Sequence, residues 1–138
     1  MYGKFQHTID AKGRLFIPAR LREKLGESFY VTISFERCLT VYSAERWKKA
    51  EEKLEGMSQT AQMELRQVFA NASQVDLDAQ GRIALSQNLR SFAGLSKNVT
   101  IVGTGLYVQI WDSEAYQGIE DEERDLENLK NVVEKYGF

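Results

Sequence analysis

Hydrophobic and polar positions alternate through several short runs of this chain and fall at helical spacing in others. Lys4 to Ile9 alternates and predicts a strand. Asp10-Ala11-Lys12-Gly13 predicts a turn, with Gly13 free to take a positive φ. Arg14 to Ile17 predicts a second strand. Pro18 stands where a helix can begin, since its missing N–H would be unpaired there anyway. Ala19 to Leu25 then predicts a short helix closed by Gly26. Phe29 to Phe35 alternates in a β-rich composition, Glu36-Arg37-Cys38 turns the chain, and Leu39 to Tyr42 predicts a further strand. Ser43 is a good N-cap for a helix carrying Trp47.

The same order then recurs. Ser73 to Leu77 predicts a strand, Asp78-Ala79-Gln80-Gly81 a turn, and Arg82 to Leu85 a strand. Ser86 caps a helix to Ala93 that Gly94 stops. Val99 to Val102 pairs through Gly103-Thr104-Gly105 with Leu106 to Trp111, and Asp112 caps a helical turn carrying Tyr116. Beneath this order lies a repeated phrase. Ile9-Asp10-Ala11-Lys12-Gly13-Arg14-Leu15 returns as Leu77-Asp78-Ala79-Gln80-Gly81-Arg82-Ile83. The spacing of the copies is constant from the turns to the third strands, Val31 and Val99, and one residue is added in the second hairpin loop. Internal repetition of this kind decides how the fold is read.

A repeat of roughly forty residues is too small to bury an adequate core alone. Two copies can pair their open faces and sheet edges about a pseudo-twofold axis. The expectation is an α+β fold: a compact mixed β core made from residues 1–47 and 73–118, with short helices outside it. Between the copies, 48–72 forms a helical connector; over Ala44 to Ala72, Trp47, Ala50, Leu54, Met63, Leu65, Val68 and Phe69 recur at helical spacings, and Gly56 and Ser58 mark a break between two helices. Residues 119–138 form a C-terminal helix whose stripe of Leu126, Leu129, Val133 and Tyr136 is core or a subunit contact.

Composition narrows the function. The 138 residues are 43% hydrophobic and 28% charged, which predicts a globular fold. No apolar run is long enough to span a bilayer, and Met1 to Phe5 lacks the apolar segment of a signal peptide. The single Cys38 excludes an intrachain disulfide and fits a reducing cytosol, and one His with one Cys argues against a zinc site. The net charge of -2 conceals an asymmetry. Met1 to Lys24 carries six basic residues against two acids, while Asp112 to Phe138 carries nine acids against three bases. Local potential of this kind steers a polyanion even when the total is acidic.

No nucleophile motif, phosphate-cradling glycine loop or metal-ligand spacing is present, and His7 stands alone on a strand. Asp10 and Asp78 are each followed four residues later by an arginine, which holds the carboxylate ionised and suits an ion pair across a turn rather than a general acid. An enzyme is not expected, nor any cofactor, metal or small-molecule substrate. For binding, Lys12 and Arg14 flank Gly13 at the tip of a hairpin, with Arg20, Arg22 and Lys24 close in sequence. A two-stranded β-ribbon can enter the DNA major groove, where arginine suits guanine and lysine suits phosphate. The second copy offers Arg82 and Arg90, with Gln80 in the place of Lys12. Arg14 and Arg82 either stabilise their turns by pairing with Asp10 and Asp78 or read a base, and the two roles are compatible. Gly13 and Gly81 are backbone requirements of the turns. Trp47, Trp111, Tyr42 and Tyr116 are read as packing residues.

Asp-X-X-X-Arg after a first strand, then a strand, a short helix and a β pair, all occurring twice, resembles the MraZ family of bacterial transcriptional regulators. The match is closest over Phe5 to Arg22 and again over Leu77 to Leu85. The resemblance implies two swapped-hairpin domains of the AbrB/SpoVT class forming a β-barrel-like protomer with flanking short helices. It also implies self-association into a closed ring and binding to repeated boxes in double-stranded promoter DNA. The expected role is a repressor of the division and cell wall gene cluster, cytoplasmic and nucleoid-associated. Carried over by motif, Arg14 and Arg82 are the leading DNA contacts, supported by Lys12, Arg20 and, in the second copy, Gln80. Asp10, Gly13, Asp78 and Gly81 hold the turns. Because Lys12 faces Gln80 and Arg20 faces Asn88 between copies, the basic first copy is expected to dominate. The competing reading is a non-catalytic protein–protein assembly module of the antitoxin type, with the acidic tail as its docking site.

Overall fold

A computed structural model describes all 138 residues. The first repeat runs β1 (Tyr2–Thr8), β2 (Arg14–Phe16), α1 (Ala19–Leu25), β3 (Ser28–Ile33) and β4 (Leu39–Ser43). Three helices follow: α2 (Ala44–Glu55), α3 (Gln59–Glu64) and α4 (Arg66–Ala70). The second repeat runs β5 (Ser73–Asp76), β6 (Arg82–Ala84), α5 (Gln87–Phe92), β7 (Asn98–Thr104) and β8 (Val108–Asp112), and α6 (Ser113–Glu123) and α7 (Leu126–Lys135) close the chain. The predicted caps form. The side chains of Ser43, Ser86 and Asp112 accept from the backbone N–H of Arg46, Leu89 and Ala115, satisfying donors that the first helical turn leaves free.

Strand pairing ties the repeats together. Six strands form one sheet in the order β1-β7-β8-β4-β3-β5. The first strand of each copy leaves its own repeat: β1 pairs with β7 from Tyr2↔Thr104 to Thr8↔Asn98, and β5 pairs with β3 from Ser28↔Asp76 to Val31↔Ser73. The copies meet at the centre through β4 and β8, where Leu39 faces Ile110. The remaining strands, β2 and β6, pair with each other in a separate two-stranded ribbon.

One face of the sheet, the inner sides of β2 and β6, and the helices α1 and α5 enclose the main core. Leu15, Ile17, Leu21, Phe29, Val31, Ile83, Leu89 and Ile101 are all but inaccessible there. No single repeat supplies this cluster, which is the packing reason for the duplication. The other face is covered at two places. Trp47 of α2 stacks on Tyr30 at 5.4 Å and meets Phe69 of α4, while the hydroxyl of Thr32 donates to the carbonyl of Val68. In the second repeat, Trp111 packs with Cys38, Val102 and Tyr116. The packing role expected for Trp47, Trp111, Tyr42 and Tyr116 matches their burial, full for the tryptophans and partial for the tyrosines.

Several details differ from expectation. The core sheet is not mixed: every ladder is antiparallel. Its edges are not closed by pairing either, since β1 and β5 remain its outer strands. β3 stops at Ile33, leaving Phe35 almost fully exposed. Between the repeats there are three helices rather than two, because Leu65 ends α3 and opens α4 in one step. The tail stripe is not on one helix with Glu120. The chain breaks at Arg124, and Asp125 caps α7 through a bond from the N–H of Asn128. Nor is that stripe core: no residue of α7 is buried.

Candidate nucleic-acid interface

The two Asp-Ala-X-Gly-Arg segments fold into matching turns. In the first, the backbone N–H groups of Lys12 and Arg14 both donate to Asp10 Oδ1 at 2.9 Å, and Gly13 N–H donates to the Asp10 carbonyl. In the second, Gln80 and Arg82 donate to Asp78 Oδ1 at 2.8 and 2.9 Å, and Gly81 N–H donates to the Asp78 carbonyl. A carboxylate folding back onto the next residues' amides is what makes aspartate favoured in such a turn. Gly13 and Gly81 adopt φ of 79° and 77°, the left-handed region that other residues resist.

The second carboxylate oxygen takes the arginine. Arg14 Nε donates to Asp10 Oδ2 at 2.6 Å and Arg82 Nε to Asp78 Oδ2 at 3.1 Å. The Arg14 backbone N–H, with its side chain and Lys12 N–H, holds the Asp10 carboxyl below the usual carboxylate range against an opposing contribution from desolvation. The Arg82 backbone N–H, with Gln80 N–H and the Arg82 side chain, does the same for Asp78. The two readings of these arginines thus meet in one geometry: the ion pair forms, and it orients a guanidinium that stays partly open to solvent.

The turns are not tips of independent hairpins, which corrects the picture of a Lys12-Gly13-Arg14 ribbon made by one copy. β1 and β2 share only the bridge Ile9↔Leu15. The ladder partner of β2 is β6, with Arg14↔Ala84, Leu15↔Ile83 and Phe16↔Arg82 in register. Each turn extends this ladder across the repeats, because Gly13 carbonyl accepts from Leu85 N–H and Gly81 carbonyl from Ile17 N–H, both at 2.9 Å. Residues opposite one another in a ladder point to the same side. Leu15 and Ile83 point into the core, so Arg14 and Arg82 share the outward side, roughly 7 Å apart along the ribbon. Arg82 Nη1 also lies 3.9 Å from Asp10 Oδ2, so one carboxylate faces both guanidinium groups.

The other candidate residues sit around this pair. Lys12 and Gln80 occupy equivalent exposed positions in the two turns, and Arg20 lies on the exposed side of α1. Arg22 and Arg90, read from sequence as part of the basic patch, are partly buried instead. Arg90 Nε donates to Leu85 carbonyl at 3.1 Å, and Arg22 lies 5.2 Å over the Phe16 ring. The remaining His and Cys side chains do not converge with one another. His7 packs its ring 5.2 Å from Phe16, and Cys38 is fully buried, its thiol pushed up to about 11 by burial. No group of three or more His, Cys, Asp or Glu side chains converges as a metal site would require.

A family model described as "MraZ protein, putative antitoxin-like" matches this chain twice, over residues 1–67 and 68–134. The chain is 42% identical to the transcriptional regulator MraZ of Acetivibrio thermocellus, over 99% of both chains. It is 46% identical to the protein of the same name from Carboxydothermus hydrogenoformans, over 83% of this chain and 82% of that one. For the counterpart from Heliobacterium modesticaldum the identity is 43%, over 96% and 94%. Two matched halves, each containing one of the turns described above, and full-length likeness to several relatives place the sequence: the chain belongs to the MraZ family.

Proposed function

We propose that this protein is a sequence-specific DNA-binding transcriptional regulator that reads double-stranded promoter DNA with the β2–β6 ribbon. The observation that carries the reading is the pair Arg14 and Arg82, presented on one side of the ribbon and each held by its own aspartate. A guanidinium fixed in this way keeps donors free for the acceptors of a guanine edge. Lys12 supplies a neighbouring phosphate contact in the first turn, Gln80 a neutral one in the second, and Arg20 a contact from α1. The relatives' shared name, transcriptional regulator, supports the same role. No helix is long and apolar enough to cross a membrane.

The finer reading follows the family resemblance. Residues 1–47 and 73–118 act as two swapped-hairpin units of the AbrB/SpoVT class, joined by 48–72 and followed by 119–138. The protein acts as a non-catalytic repressor of the division and cell wall gene cluster, at the nucleoid. Copies of the chain close into a ring, for which the exposed apolar side of α7 (Leu126, Leu129, Val133, Tyr136) offers unpartnered surface. A ring turns one patch per chain into a row, and repeated boxes then gain avidity through effective concentration.

Selection of bound duplexes from a random pool, run in parallel with Arg14→Ala, tests this. The natural chain should enrich a short recurring box, and Arg14→Ala should lose it while keeping the same circular dichroism and assembly size. Failure of the natural chain to enrich any sequence, or equal enrichment by the variant, would overturn the proposal.

A further inference from the structure

The two copies share a second arginine beyond the repeated phrase, Arg22 in α1 and Arg90 in α5, which DNA reading by the ribbon does not use. Both guanidinium groups lie against the turn of the other repeat. A methyl group built on Gly81 would meet Arg22 Nη1 at 2.5 Å and Arg22 Cζ at 3.1 Å. One built on Gly13 would meet Arg90 Nε at 2.9 Å and Arg90 Cζ at 3.0 Å. The helix of each copy therefore sets an arginine directly beneath the glycine that shapes the opposite copy's turn. The glycines serve two needs at once: a positive φ, and room for this side chain.

The two supports are built differently. Arg90 is anchored, its Nε donating to Leu85 carbonyl, while Leu85 N–H donates to Gly13 carbonyl. Arg90, Leu85 and Gly13 thus form one connected unit under the first, basic turn. Arg22 holds its place by lying over Phe16, the ladder partner of Arg82, and its Nε is buried with no acceptor. It borders a surface depression of about 400 Å³ formed with Glu27, Leu77, Asp78 and Gly81. Neither arginine pairs with a carboxylate. A guanidinium left without a counter-ion beneath a turn keeps its full positive charge there, adding to the potential at the ribbon.

We infer that Arg22 and Arg90 are positioning residues acting across the repeats: Arg22 sets the turn that aims Arg82, and Arg90 sets the turn that aims Arg14. The functional half of this rests on DNA reading by the ribbon. The structural half does not. Cross-wiring of this kind makes the two turns one unit, so that a change in either helix is felt at the other copy's contact.

Amide hydrogen exchange tests the wiring without DNA. In Arg22→Met, exchange at Gln80, Gly81 and Arg82 should rise at least tenfold, while Lys12, Gly13 and Arg14 keep their natural rates. Arg90→Met should give the mirror image. Arg22→Lys, which keeps charge and stem but not the planar group, guards against loss of the fold and should show the same selectivity for the second turn. Equal rates at both turns, or a change confined to the variant's own repeat, would overturn the inference. A double-mutant cycle tests the function, using a duplex selected by the natural chain. Arg22→Met should weaken binding about tenfold alone and less than twofold in an Arg82→Ala background. Additive losses, with the salt slope reduced by about 0.9, would show instead that Arg22 touches phosphate itself and would overturn the positioning role. Unchanged affinity in Arg22→Met would overturn it too. A natural chain that selects no duplex fails the DNA reading alone, and the exchange pattern still decides the cross-repeat wiring.

Discussion

Leu15 lies directly opposite Ile83 in the β2–β6 ladder, and both side chains are sealed from solvent. This one pair fastens both turns to the core, since Arg14 and Arg82 are the residues next to it. Leu15→Ala should therefore cost ~2–5 kcal/mol, the range for deleting a buried leucine side chain. Denaturant unfolding measures the loss. At a temperature where the variant stays folded, both turns should also become more accessible to amide exchange, because the ladder that this pair anchors continues into each of them through Leu85 N–H to Gly13 carbonyl and Ile17 N–H to Gly81 carbonyl. A loss confined to the first turn would show that the repeats are mechanically independent.

Gly13→Ala and Gly81→Ala should both destabilise, and not equally. Each forces an L side chain into left-handed backbone, at roughly 1–2 kcal/mol. At Gly81 the new methyl meets the end of the Arg22 side chain, which can swing aside. At Gly13 it meets Leu85 carbonyl at 2.8 Å, a backbone atom already engaged with Arg90. Gly13→Ala should be the more damaging by about 1 kcal/mol or more, as expected when a clash cannot relax. Equal midpoints in a thermal melt would contradict this ranking.

The charge difference between copies gives a prediction that gains function. Gln80 holds the exposed position in the second turn that Lys12 holds in the first, and each donates its backbone N–H to the turn aspartate. Gln80→Lys leaves that backbone bond untouched and adds one cation beside Arg82. Binding to a selected duplex should tighten, and the slope of log K against log salt should steepen by about 0.9 per phosphate engaged. An unchanged slope would place Gln80 away from the phosphates.

Local features of this fold were legible because their causes are local. The turns follow from aspartate, glycine and the spacing between them, and the caps at Ser43, Ser86 and Asp112 from a polar side chain before an apolar run. Duplication pointed to a shared core. It did not reveal that β2 pairs with β6, because a three-residue strand carries no mark of its partner and a hairpin with β1 satisfies the same pattern. The tail is a different case. Asp125 before Leu126 is an N-cap signal like those read correctly elsewhere, and a continuous apolar stripe masked it. Leu65 gave no signal at all: an apolar residue ends one helix and begins the next without a side-chain cap. The partly buried placement of Arg22 and Arg90 was equally invisible, since a long basic side chain near a basic segment reads as surface.

Acid should loosen both turns. The carboxyls of Asp10 and Asp78 are held below the value near 3.8 that they have in an unfolded chain. A lowered folded value means that the ionised forms stabilise the native state. That contribution is complete above about pH 4 and fades as pH falls through the folded values. Asp10→Asn and Asp78→Asn keep the shape of the turn and remove the charge. Their stability should fall below that of the natural chain at neutral pH, and the two curves should converge as the pH falls below the folded values of the two carboxyls. Parallel curves across this range would show that the turn carboxylates carry no linkage.

The C-terminal helix separates assembly from folding. α7 is capped by Asp125 and needs no partner in its own chain to form its first turn. Its apolar residues nevertheless lie on the surface, Leu126 81% and Tyr136 64% exposed, with Phe138 beyond them at 95%. α6 is different, because its Tyr116 and Ile119 pack against the cluster of Cys38, Val102 and Trp111. Ending the chain at Arg124 therefore removes apolar surface without opening the core, and the thermal midpoint measured on dilute protein should move little. If α7 joins copies into a ring, sedimentation velocity should show the truncated chain collapsing to small species. Its affinity for a duplex with one box should be unchanged, while affinity for a duplex with several boxes should fall toward the single-box value as the linked contacts are lost. An assembly of undiminished size would remove α7 from the subunit interface, and an equal loss on one box and on several would show that the tail acts on DNA reading directly.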